Sequence, residues 1–128
     1  MVLQKYLSSW VKDFTNIKSE IDNILDGLIY TIEHLGRTAV PNLDSKPIID
    51  IDIIYSNLMD FEKIKLGLKI IGYNHKGNQG IEDREVFKRN GEISNQILDT
   101  VKHHLYVCTV DSKALEQHIL SRNFLRKK

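Results

Sequence analysis

The sequence predicts an α+β domain, with a mixed or antiparallel sheet and helices packed mainly on one side. Two observations carry this. Stretches rich in β-branched residues cluster along the chain instead of alternating strictly with helical ones. Amphipathic helical patterns stand near both ends. With 128 residues the chain is expected to form one domain over 1–128 and to bury a core without disulfide or metal staples.

Trp10, Phe14, Ile17, Ile21, Ile24 and Leu25 recur at steps of three and four, which predicts a first helix with that face inward. Val2, Leu3, Tyr6 and Leu7 extend the stripe backwards, and Gly27 stops the helix. Leu28–His34, between Gly27 and Gly36, reads as a strand. Pro47–Tyr55 is the strongest strand in the chain. Its alternation places Ile49, Ile51 and Ile53 on one face and Asp50, Asp52 and Ile54 on the other. Ser56 is read as the cap of a helix to Ile70 with Leu58, Phe61, Ile64 and Leu68 inward. Strands are expected at Tyr73–Lys76 and Arg84–Lys88, and Glu92–Thr100 suits either a short helix or a wide loop. Val101–Val110 is a strand with His104, Tyr106 and Cys108 on one face. Ser112 caps a last helix with Leu115, Ile119, Leu120 and Phe124 inward, and Arg126, Lys127 and Lys128 suit its C-terminus.

Composition excludes several classes. Eighteen Lys+Arg stand against 17 Asp+Glu, so no basic excess signals a nucleic-acid binder. One cysteine, Cys108, allows neither an intrachain disulfide nor a cysteine-rich zinc site. No apolar run reaches the ~18 residues of a membrane span, and the first residues lack a signal-peptide core, so a cytoplasmic protein without membrane partners is expected. His103, His104 and Cys108 share a strand but alternate faces, which argues against zinc. His75 and His118 read as ordinary surface residues.

The chemistry concentrates between Ile32 and Ile54, IEHLGRTAVPNLDSKPIIDIDII. Asp50 and Asp52 lie roughly 6.6 Å apart at their Cα atoms on one strand face. Two carboxylates that close repel when ionised, and a divalent cation relieves the repulsion. Spacing alone favours a solvated strand face. Gly36 opens a turn in which backbone can approach a ligand closely, and the Thr38 hydroxyl could join it on a phosphate. Lys46 and Arg84 could meet phosphate or simply face solvent.

This stretch resembles the signature of the GrpB family, approximately H-[IL]-G-S-T-[AS]-V-P-G-L-x-[AS]-K-P-[IV]-I-D-I. His34, Gly36, Thr38 to Pro41, Leu43 and Ser45 to Ile51 match it. Gly72-Tyr73, Lys76-Gly77, Gly80-Ile81, Arg84 and Phe87 are similar to the family's middle segment. His103 to Cys108 resembles its late HHL-[HY]-V strand, and Arg122, Leu125 and Arg126 its last helix. The family is similar to the nucleotidyltransferase superfamily, and related domains occur fused to dephospho-CoA kinase.

The resemblance implies a nucleotidyltransferase-like fold and transfer of a nucleotide from a triphosphate to an unknown acceptor. It implies Asp50 and Asp52 as catalytic residues and ligands of Mg²⁺ or Mn²⁺, with His104 as a third catalytic residue. Gly36, Arg37, Thr38, Lys46 and Arg84 would bind nucleotide. The alternative is an inactive domain of the same fold that binds a nucleotide, a CoA-like metabolite or a protein; a third is a regulatory transferase acting on protein or RNA. Two departures stand out. Arg37 replaces the family serine, where it would clamp phosphate, block the pocket or pair with Asp50 or Asp52. Asn42 replaces the glycine after Pro41. The chain is also shorter at its C-terminus than family members usually are, which implies exposed apolar surface and self-association into homo-oligomers.

Overall fold

The structure, a computed structural model, describes residues 3–127. Its elements are α1 (Ser9–Ile24), β1 (Thr31–Leu35), β2 (Ile49–Tyr55), α2 (Phe61–Ile70), β3 (Tyr73–His75), β4 (Arg84–Arg89), α3 (Gln96–Thr100), β5 (His103–Thr109) and α4 (Lys113–Arg126). The five strands form one mixed sheet in the order β1-β2-β5-β4-β3. β2 and β5 run parallel at its centre, and the other pairs are antiparallel.

One sheet face is closed by three helices. Ile49, Ile51 and Ile53 of β2 and Leu105 and Val107 of β5 pack there with Ile17 and Ile21 of α1, Ile64 and Leu68 of α2 and Leu98 of α3. Each such side chain taken from water is worth about 1.5–3 kcal/mol. The other face is thinner. Leu35, Ile54 and Cys108 meet only Leu115 and Ile119 of α4. The expected distribution of helices therefore holds, with α4 alone on the second face.

Several local expectations shift. β1 begins at Thr31 rather than Leu28. Asn57, not Ser56, caps the next segment: its side chain accepts from the Met59 amide and opens a 3-10 turn over Leu58–Asp60 before α2. Leu58 thereby turns outward and is 73% exposed. Leu3 and Leu7 are exposed, so only Tyr6, set edge-on against Trp10, continues the first stripe; Val2 lies outside the described residues, as does Lys128. Glu92–Thr100 resolves into the short α3, capped by the Asn95 side chain on the Leu98 amide.

The largest change is in α4. Ser112 caps it as expected, but Leu120 and Phe124 are 59% and 61% exposed. Its buried face instead runs through Leu115 and Arg122. The Arg122 guanidinium donates to Glu33 Oε2 at 2.8 Å and to the His34 carbonyl at 3.1 Å. Arg126 donates to the Ala39 carbonyl at 3.0 Å. Two arginines thus fasten α4 to the end of β1 and the turn after it, a set of bonds that hydrophobic periodicity cannot register.

Candidate functional site

β1 ends at Leu35, and Gly36 follows with φ 74 and ψ −174, a conformation open to glycine and strained for other residues. A Cβ there would also run into the Asp50 carboxylate. The glycine therefore serves two needs: it makes the turn, and it lets an acidic side chain lie directly against the backbone. Arg37–Ala39 form a 3-10 turn, and Asn42 sits at φ 66. Asparagine tolerates that left-handed conformation better than most residues, which accounts for its standing where the family has glycine.

β2 presents Asp50 and Asp52 on the face opposite the closed core. Across the parallel pair Asp50 lies beside His104 and Asp52 beside Tyr106. The carboxylate of Asp50 accepts from, or pairs with, His104 Nδ1 at 3.0 Å, and this pair is open to solvent. Asp52 differs sharply. It is 0% exposed, its Oδ1 has no hydrogen-bond partner, and its Oδ2 meets only the Cys108 thiol at 3.9 Å. Burial pushes its carboxyl up to about 7, opposed by the Arg84 charge and assisted by Asp50. The same burial, with Asp52 beside it, lifts the Cys108 thiol to about 12, so that sulfur stays protonated and unreactive.

Arg84 enters from β4. Its guanidinium stacks 3.7 Å over the Tyr106 ring, and its buried Nε lacks a partner. His118 enters from α4. It is half-buried, its Nδ1 has no partner, and desolvation lowers its pKa, with Asp50 pulling the other way and Arg84 adding to the fall. Asp52 Oδ1, Arg84 Nε and His118 Nδ1 are the buried side-chain nitrogen and oxygen atoms left unpaired among the described residues. Asp52 feels Arg84, and His118 feels both Asp50 and Arg84, so the three belong to one neighbourhood. Buried polar groups are nearly always satisfied, so three exceptions in one neighbourhood call for an explanation.

The structure brings together Gly36, Asp50, Asp52, His104 and Arg84 from the sequence reading. It adds His118, which the pattern had placed on the surface. The signal that finds it is its spacing with Leu115 and Arg122, the buried face of α4. Thr38 does not join the site. It is 1% exposed on the closed side, where its hydroxyl is 2.9 Å from His34 Nε2. Arg37 is exposed and donates from Nε to the Asp44 carbonyl at 3.0 Å; it neither fills the pocket nor pairs with either aspartate. Lys46 is exposed at the end of the same loop. His75 pairs with Glu85 at 2.8 Å, away from the site. Among the described residues, no three His, Cys, Asp or Glu side chains converge as a ready-made metal cage.

A family model described as GrpB protein matches residues 1–128. The chain belongs to the GrpB family. UPF0157 protein YqkA of Bacillus subtilis (strain 168) is 30% identical over 121 residues, covering 94% of this chain and 33% of that protein. The Glutamate-rich protein GrpB of Alkalihalophilus pseudofirmus is 30% identical over 126 residues, covering 98% of this chain and 71% of its own length. The chain thus spans about a third of the Bacillus relative. Among solved structures, conserved protein GrpB from Enterococcus faecalis superposes with a TM-score of 0.80 at 26% identity, covering 99% of this chain and 73% of that one. The Cid1 poly(U) polymerase bound to MgGTP superposes with a TM-score of 0.63 at 12% identity, covering 97% of this chain and 39% of that one. The Cid1 likeness shows a shared nucleotidyltransferase-like fold. Among the described residues no helix is long and apolar enough to cross a membrane.

Proposed function

We propose that this GrpB-family chain binds a nucleoside triphosphate with a divalent cation and transfers its nucleotidyl group to an acceptor oxygen. The observation that carries the reading is Asp52: a wholly buried carboxylate with one oxygen unpaired, next but one to Asp50 and close to a turn where only glycine fits. A carboxylate held this way is costly unless a positive charge reaches it. The donor set suits Mg²⁺ or Mn²⁺, which take one or two carboxylates and complete their shell with water and phosphate. Asp50 and Asp52 would hold the ion, and when bound it would neutralise the triphosphate.

The chain's own groups then have distinct tasks. Gly36 leaves the backbone bare beside Asp50. His104 fixes the orientation of the Asp50 carboxylate. Arg37 and Lys46 stand exposed near the turn as charges for the outer phosphates. In the transfer an acceptor oxygen forms a bond to the α-phosphorus and the α–β anhydride bond breaks. Pyrophosphate leaves with the electron pair. The acceptor proton moves to the His118 imidazole, which burial favours in its uncharged form.

Calorimetry with ATP, GTP, CTP and UTP, each with Mn²⁺, tests this. Binding that needs the metal and weakens at least tenfold in Asp50→Asn and Asp52→Asn is expected. Silence with all four nucleotides ends the reading. A second reading has its own support: His104 already faces Asp50, and Arg84 already supplies positive charge to Asp52. A domain that binds without catalysis needs no more than this. Metal-independent binding that survives both substitutions would favour it.

A further inference from the structure

A further feature lies beside the aspartates. A cavity of about 570 Å³ opens along β4 and β5, between these strands and the loop joining β3 to β4. That volume suits a small organic ligand. It adjoins the aspartates through His104, which lines it and bonds Asp50. Pairing of Arg84 with Cys108 and of Val86 with Tyr106 puts Arg84 and Val86 on the same sheet face as the carboxylates. Lys88, two positions on from Val86 along the strand, shares that face.

The lining has a definite chemistry. Val86 and the exposed Ile81 supply apolar surface, and Tyr106 supplies a half-buried ring. The Arg84 guanidinium lies over that ring and, among the described residues, makes no hydrogen bond or ion pair. Stacking therefore holds it in place while its donors remain unspent, an arrangement suited to a phosphate. Lys88 adds an exposed charge. The one acidic side chain in the lining, Asp99, is already held by Arg89 at 2.9 Å. Apolar surface thus meets the exposed Lys88 ammonium and an Arg84 guanidinium that makes no direct ion pair.

We infer that this cavity is a second ligand site, distinct from the triphosphate position, and that it takes a planar ring carrying a phosphate. Its place beside Asp50 makes it the acceptor pocket, a role that rests on the transfer reading above; the binding itself does not. The test is amide shift perturbation by NMR without metal, using adenosine monophosphate, phenyl phosphate and inorganic phosphate. The two ring-bearing phosphates shift the amides of Val86 and Tyr106, and inorganic phosphate does so far more weakly. Lys88→Glu, an exposed change that leaves folding alone, weakens both by about tenfold, the scale of one lost charge-assisted contact. Arg84→Gln does the same. Shifts centred on Gly36–Thr38, equal shifts from inorganic phosphate, no shifts at all, or an affinity indifferent to Lys88→Glu would each overturn the assignment. If these shifts appear while metal-dependent triphosphate binding fails, the pocket stands and only its acceptor role falls.

Discussion

Each face of the sheet holds a buried titratable side chain, His34 on one and Asp52 on the other, and the two are treated in opposite ways. His34, on the closed face, stacks on Phe14 with ring centres 4.8 Å apart and meets Thr38 at 2.9 Å. Asp52, on the thin face, has an unpaired oxygen and a weak thiol contact. The closed face pairs its buried histidine, and the thin face leaves its buried carboxylate without a strong partner. Stability and the proposed chemistry are therefore divided between the two sides of a single strand, β2, whose alternate residues face one side or the other.

Three measurements can break or sharpen that division. The largest effect is expected in the closed layer. Ile53→Ala, at a fully buried position, should destabilise the fold by about 2–5 kcal/mol in urea titration. A cost under ~1 kcal/mol would mean that this face is not the principal core.

Next is acid. Burial, with help from the Arg126 and Arg122 charges, lowers the His34 pKa to about 4. Above about pH 6.5 the imidazole is neutral whether folded or unfolded, and its contribution is fully present. As pH falls below that value the unfolded chain takes the proton first, so stability declines until about pH 4. The total is roughly 3 kcal/mol. His34→Gln should flatten this part of the stability–pH curve, read from thermal melts across pH 4–7.

The smallest effect has the opposite sign. The Asp52 carboxyl is raised to about 7, so the fold favours its protonated form. That contribution is present at low pH and is lost as pH rises through 7, leaving an ionised, buried carboxylate as a burden at pH 8. Asp52→Asn should accordingly raise the stability of the ligand-free protein at pH 8, on the order of 2 kcal/mol. A loss instead would place Asp52 among the structural residues, and the contrast between the faces would dissolve.

Much of this was legible in the sequence. Period-two alternation assigned β2 and β5 correctly, including which residues share a face, because a strand with one apolar side fixes its own register. The carboxylate pair, the glycine beside it and His104 followed from the motif. What stayed hidden depended on polar contacts across the fold. Arg122 is buried because Glu33 and a β1 carbonyl meet it, and no rule of hydrophobic spacing places an arginine inward. Leu120 and Phe124 were assigned its place for the same reason. His118 was missed because two of the charges that act on it, Asp50 and Arg84, come from β2 and β4. Thr38 was misread because a hydroxyl two residues past a glycine turn points either to the turn or away from it, and only His34 decides which.

The parallel pairing of β2 with β5 also bears on how quickly the site comes into being. Asp50 and His104 stand 54 positions apart in the chain, with α2, the β3–β4 hairpin and α3 lying between them. Hairpins and helices close short loops and form early, whereas a parallel central pair closes a long one and forms late. The closed layer can thus begin to gather from α1, β1, β2 and α2 while the carboxylates still face water. Only the docking of β5 brings His104 to Asp50 and Tyr106 to Asp52. Refolding followed by two reporters, one in each layer, would then be expected to separate in time, with the chemistry acquired last.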